Sequence, residues 1–123
     1  PKVAPVCEIV GRDKSLFSTP YSYANYYCDI PPWNGYVQTF FDTSTEDVIS
    51  TILFKLIKSP PNFIFYQRQE LNLKIHEITF NSGKSLPHRS LDEFIMKKIS
   101  SGEWHIVYRS IAYPPSEWLL INT

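Results

Sequence analysis

Between residues 43 and 61 the apolar side chains Val48, Ile49, Ile52, Leu53 and Leu56 recur at three- and four-residue steps, which places them on one face of a helix. Thr43 with Glu46 three residues later makes a capping box, and Ser44 with Asp47 offers the same box one residue on. Glu46 and Asp47 at the start and Lys55 and Lys58 at the end oppose the helix dipole, and Pro60 and Pro61 cannot continue the hydrogen-bond ladder. A helix ending near Lys58 is predicted. Elsewhere the period is two. Residues 36–41 (YVQTFF) alternate and leave directly from the turn signal Pro31-Pro32-Trp33-Asn34-Gly35. Residues 62–67 (NFIFYQ) are strand-like, and 71–76 alternate until Glu77 breaks the pattern, which reads as a bulge or turn before Ile78 and Phe80. Residues 104–111 (WHIVYRSI) are dense enough in apolar groups for a central strand, and 116–123 can supply a final strand or the start of the next unit. A second, shorter helix is predicted from Ser90, capped with Glu93, with Leu91, Phe94, Ile95 and Ile99 inward and Ser101-Gly102 as its stop.

The first forty residues are less regular. Val3, Val6, Ile9 and Val10 around Cys7 suit a short strand closed by Gly11-Arg12-Asp13-Lys14. Residues 15–34 are rich in Tyr, Ser, Pro and Asn without a helical period, and one short strand is expected at 26–30. Tyr21, Tyr23, Tyr26 and Tyr27 crowd this stretch. Such rings either form a binding surface or, more commonly, cover a small core with their hydroxyls in water.

The chain has 123 residues, enough for one domain over 1–123 with its own core. Twelve basic and twelve acidic residues cancel and are interspersed, which argues against a general nucleic-acid or membrane-surface role. Cys7 and Cys28 have no metal-ligand spacing; free buried thiols are the favoured reading over a disulfide or a reactive thiol. No apolar run approaches the ~20 residues that span a bilayer, and no signal peptide is visible. A cytoplasmic domain without membrane insertion is therefore expected, and a start at Pro1 without Met suggests excision from a larger protein.

Enzymatic patterns are weak. His76, His88 and His105 are far apart, the chain carries only four glycines for a phosphate cradle, and Asp92 and Glu93 are adjacent, so on a helix they diverge. A non-catalytic protein with no cofactor and no metal is expected.

The order of strand, capped helix, strand, polar hairpin, Leu-Asp-Glu segment and final strand resembles the ubiquitin-like β-grasp, and within it the Ras-association family. The resemblance is carried by Thr43-Ser44-Thr45-Glu46-Asp47-Val48-Ile49 after a strand, and by Ser90-Leu91-Asp92-Glu93 ahead of Trp104-His105-Ile106-Val107-Tyr108-Arg109. It covers about two thirds of the chain. It implies an α+β fold with a mixed sheet of four to five strands packed on one main helix, with a short second helix. It also implies binding of the GTP-loaded form of a Ras-like small GTPase, or of another signalling protein, by an exposed strand edge and basic side chains. The residues it assigns to the partner are Tyr36, Gln38 and Phe40 on the strand, Lys55 and Lys58 on the helix, and Arg12 and Lys14 beside the first strand. Recruitment to a membrane would then come through the partner. Three departures stand against it: a longer Tyr-rich insertion before Tyr36 than the family's hairpin, a long stretch over 67–85, and no Lys or Arg in 36–41. The alternative is a ubiquitin-like scaffold unit of a larger adaptor that binds a protein other than a GTPase.

Overall fold

The computed structural model describes residues 3–39, 45–110 and 116–122. Four strands, β1 (Leu16–Thr19), β2 (Phe63–Arg68), β3 (Trp104–Ser110) and β4 (Ser116–Asn122), form one mixed sheet in the order β1-β2-β4-β3. β1 and β2 run parallel, while β4 is antiparallel to both of its neighbours. The described helices are α1 (Ala4–Val10), α2 (Tyr23–Cys28), α3 (Glu46–Lys58), α4 (Glu70–Phe80) and α5 (Pro87–Ser100). The architecture is α+β.

The sheet separates two cores. On one side Phe17, Ile64, Tyr66, Trp104 and Leu120 pack with Ile49, Ile52 and Leu56 of α3 and Leu91 and Ile95 of α5. On the other, Leu16, Phe63, Phe65 and Leu119 pack with Val3, Val6 and Val10 from the α1 segment and Ala24 and Cys28 of α2. Adjacent residues of β2 and β4 therefore serve opposite cores, which is why residues 63–66 and 118–121 are unbroken apolar runs.

Of the predicted inward face of α3, Ile49, Ile52 and Leu56 are buried and Leu53 is half-buried, whereas Val48 is exposed; the helix ends at Lys58. Its cap is Thr45, whose Oγ1 accepts the Val48 N–H at 3.4 Å; Thr43 and Ser44 lie outside the described residues. α5 starts at Pro87 and not at Ser90, because proline fits the first turn, where its missing N–H is no loss. At 14 residues it is longer than the 13-residue α3, so the expectation of one main helix and a short second one is corrected.

Several predicted strands are helices. The 71–76 alternation belongs to α4: Leu73 and Glu77 are buried one turn apart, while Leu71, Ile75 and Ile78 share the exposed face. Two helical faces of opposite burial had produced an apparent period of two. In α1, Val3, Val6 and Val10 follow a helical spacing, Pro5 occupies the first turn and Gly11 closes it at φ 73°. The expected strand at 26–30 is instead α2, with Ala24 and Cys28 inward. Leu16–Thr19, read as irregular, is an edge strand buried along its length.

The predicted strand at 36–41 is not in the sheet over its described part, residues 36–39. Residues 32–39 run alongside the outer edge of β1 in the same direction, with single bridges between Pro32 and Leu16 and between Gln38 and Tyr21. Phe40 and Phe41 lie outside the described residues. β3 is an edge strand and not a central one. A register shift between Ile106 and Tyr108 moves its inward side chain from the first core to the second. Residues 116–122 take the central place, and Ile111, Pro114 and Pro115 lie outside the described residues.

Cys7 and Cys28 are joined in a disulfide that ties α1 to α2, correcting the reading of free thiols. Among the described residues no helix is long and apolar enough to cross a membrane.

α4 is tied to α5 by charge. Arg89 binds Glu77 Oε1 at 2.5 Å and Glu70 Oε1 at 2.7 Å, while Glu77 Oε2 accepts the Leu86 N–H at 2.8 Å. The Arg89 hydrogen bond holds the Glu77 carboxyl below the ordinary carboxylate range against the opposing effect of burial. Arg89→Ala should destabilise the fold by about 3 kcal/mol, because it leaves a buried carboxylate without its partner; urea denaturation measures this. The depressed Glu77 pKa contributes stability above the unfolded-state value, and that contribution is lost as pH falls through the lower folded value. Glu77→Gln should flatten the acid limb of the stability profile below about pH 4.5.

Candidate functional site

α2 is a single short stretch with a small inner face. Ala24 and Asn25 are buried together with Cys28. Asn25 fastens the helix to the sheet: its Oδ1 accepts the Ser18 hydroxyl at 2.5 Å, and its Nδ2 donates to the Leu16 and Pro31 carbonyls at 2.9 and 3.2 Å. Asp29 ends the helix in the left-handed conformation at φ 57°, which turns the chain back through Ile30 toward Pro32. The consequence is an outward face of tyrosines. Tyr26 is 90% exposed and Tyr27 50%, and Tyr23 sets its ring edge-on to Phe65 at 5.6 Å. Of the two readings of the tyrosine cluster, Tyr26 excludes core cover for itself.

Between this helix and the returning segment lies a groove of about 750 Å³, lined by Asn25, Tyr26, Tyr27, Ile30, Pro32 and Val37 among others. Its far wall includes Val37, itself 62% exposed. Segment 37–39 is held in place from three directions. The Thr39 N–H donates to the Pro20 carbonyl at 2.8 Å, the Thr39 and Thr19 hydroxyls pair at 2.6 Å, and His88 Nε2 lies 2.6 Å from the Thr39 carbonyl. The groove is thus braced through Thr39 to α5.

On the other side of that segment is a mainly apolar cavity of about 30 Å³ at the carboxyl ends of β1 and β2, bounded by Pro20, Tyr66, Leu73 and Leu91 as well as by Thr19, Thr39, Gln67, His88 and Asp92. Its volume is about that of one water molecule. Asp92 is pushed up to about 6, first by burial and then by the neighbouring Glu93 charge. Arg68 Nε stands 3.9 Å from Asp92 Oδ1, beyond hydrogen-bond length, and has no hydrogen-bond partner among the described residues. Nothing in the sequence showed this pair, because β2 and α5 bring together residues 24 positions apart. Among the described residues, no three or more His, Cys, Asp or Glu side chains gather as a metal site.

The residues proposed from the family resemblance separate into groups. Lys55 and Tyr36 meet: Lys55 Nζ donates to the Tyr36 hydroxyl at 3.2 Å, and Tyr36 packs on Trp33 and Phe17. Lys58 follows one turn later with its ammonium 5.8 Å from the Phe54 ring. Arg12 and Lys14 are exposed in the connection before β1, and Gln38 is exposed beside Tyr21. Phe40 lies outside the described residues. Among the described residues no continuous strand edge joins these groups.

The raised Asp92 pKa gives a stability effect of definite sign. The folded protein binds the proton more tightly than the unfolded chain, so the favourable contribution is complete below about pH 4 and is lost as pH rises through about 6. At pH 7 the ionised carboxylate costs at most about 3 kcal/mol, and less where water reaches it. Asp92→Asn should be more stable than the parent at pH 7 and match it near pH 4, as thermal unfolding across that range would show. The chain matches no family model, no curated protein and no solved structure.

Proposed function

We propose that the protein is a non-catalytic protein-binding module whose contact surface is the tyrosine face of α2 with the groove beside it. The observation that carries this reading is Tyr26, a large ring left 90% exposed on a helix held by a disulfide and a buried asparagine. Tyrosine on a rigid element offers contact area at small conformational cost. The balanced charge suits a protein partner better than a polyanion. The disulfide favours an oxidising compartment over the cytoplasm expected from the sequence. This is closer to the scaffold alternative than to the GTPase reading.

A second reading, binding of a GTP-loaded Ras-like small GTPase, has one observation in its favour: Lys55, Tyr36 and Lys58 form a basic and aromatic corner at the end of α3. As a finer description of the fold, the β-grasp is supported by a mixed sheet packed on the capped helix α3. Against it, β1 reaches its parallel neighbour β2 by a crossover containing α2 and α3, where the family has a hairpin.

A photo-crosslinking residue at position 26, compared with one at exposed Lys97 on α5, tests the first reading. Any partner recovered from position 26 alone should bind the purified parent protein and lose at least ten-fold in affinity on Tyr26→Ala, with thermal stability unchanged. A recovered partner indifferent to Tyr26→Ala and Tyr27→Ala would overturn it. Titration with Ras-family proteins in both nucleotide states tests the second: it requires GTP-dependent binding that weakens with salt and drops on Lys55→Glu.

A further inference from the structure

We propose that the Cys7–Cys28 disulfide is a redox lock on the tyrosine face: opening it by a dithiol reductant releases α1 and the C-terminal half of α2 while the sheet stays folded on α3 and α5. Its functional meaning rests on the binding role argued for the tyrosine face; its mechanics do not.

Three observations carry the inference. First, α1 has seven residues and α2 six, both below the length at which a helix persists without tertiary support. Second, the attachments of α2 are unequal. Its first half is fastened to the sheet by two hydrogen bonds between Asn25 and β1 and by the contact of Tyr23 with Phe65. Its last buried residue is Cys28, which the disulfide ties to α1; beyond the helix Ile30 is buried in the same core and Asn25 Nδ2 holds the Pro31 carbonyl. That end carries Tyr27 and leads into Asp29, Ile30 and Pro32 of the groove wall. Third, the core under α1 and α2 is a separate cluster from the one under α3 and α5. Loss of the first layer therefore leaves the second with its own packing and with the whole β2–β4 ladder.

The chemistry is thiol–disulfide exchange. A thiolate of the reductant attacks Sγ of Cys7, the more exposed of the two residues, and the S–S bond breaks with Cys28 leaving as thiolate. The second thiol of the reductant then attacks the mixed disulfide. Both cysteines end as thiols, and the reductant, having given up two electrons, ends as its own disulfide. In a reducing compartment the tyrosine face is unlocked; in an oxidising one it is set.

The test is hydrogen exchange on the whole chain without any partner, before and after reduction with dithiothreitol, and on the Cys7→Ser/Cys28→Ser double variant. In the reduced protein and in the variant, amides of α1 and of residues 26–30 should exchange at least ten-fold faster, with β2 and β4 amides changed by less than two-fold. Unchanged exchange in α1 and 26–30 would overturn the proposal. Acceleration throughout β2 and β4, or failure of the variant to fold, would overturn it too, since the disulfide would then hold the entire domain. Binding is judged separately by Tyr26→Ala in the oxidised protein, so either idea can fail alone.

Discussion

The pairing of β2 with β4 is the constraint on which the rest of the molecule depends. Phe63 to Arg68 meet Ile121 to Ser116 in unbroken antiparallel register, and the side chains from Phe63 to Tyr66 point alternately into two cores. In the oxidised protein each face of this ladder is covered by its own helical layer. The cores are filled differently. α3 and α5 are long amphipathic helices that supply a row of aliphatic residues, whereas α1 and α2 are short and add a covalent tie and a buried amide to a few small side chains. The thinly supported layer is also the one that carries the exposed tyrosines.

The elements legible in the sequence are those whose local signals agree with their tertiary setting. α3 has a capped start, a periodic face, dipole-matched charges and a proline stop, so each line of argument converges. β2 was legible because the run 63–66, buried on both faces, is continuously apolar, whereas 116–123 left a final strand and the start of a next unit both open. α5 was found, but from Ser90, since the capping-box pattern outweighed Pro87 at the first turn. α4 shows the opposite situation. Its buried face includes Glu77, which reads as polar and external until Arg89 and the Leu86 N–H are known to meet it. Without that partner, a period of two fits the sequence better than a period of 3.6.

The candidate site was half legible. Four tyrosines in seven positions signalled either a surface or a core cover, and local sequence has no means of choosing, because the choice depends on where α1 and Phe65 lie. The cysteine pairing was equally hidden. With two cysteines, spacing excludes a self-sufficient zinc site but not a bond, and only the packing of α1 on α2 brings the sulfurs together. The strand expected at 36–41 failed for a related reason. Alternation marks residues that suit a pleated surface, and the described part of this stretch lies against the edge of β1 with a single bridge to Tyr21.

The relation between groove and cavity follows from that displaced segment. Residues 37–39 face the groove through Val37 and the smaller cavity through Thr39, and Thr39 is held by Thr19 from β1 and by His88 from α5. The groove wall at Val37 is therefore joined to the carboxyl end of β1 through Thr39, two residues on, whose N–H, hydroxyl and carbonyl are all engaged. The opposite wall is held by Asn25 and the cystine. The two walls of one groove thus answer to different chemistry, polar contacts within the α3 and α5 layer on one side and a sulfur bond within the α1 and α2 layer on the other. The shape of the tyrosine surface is set jointly by both cores, although its residues are contributed by the smaller one.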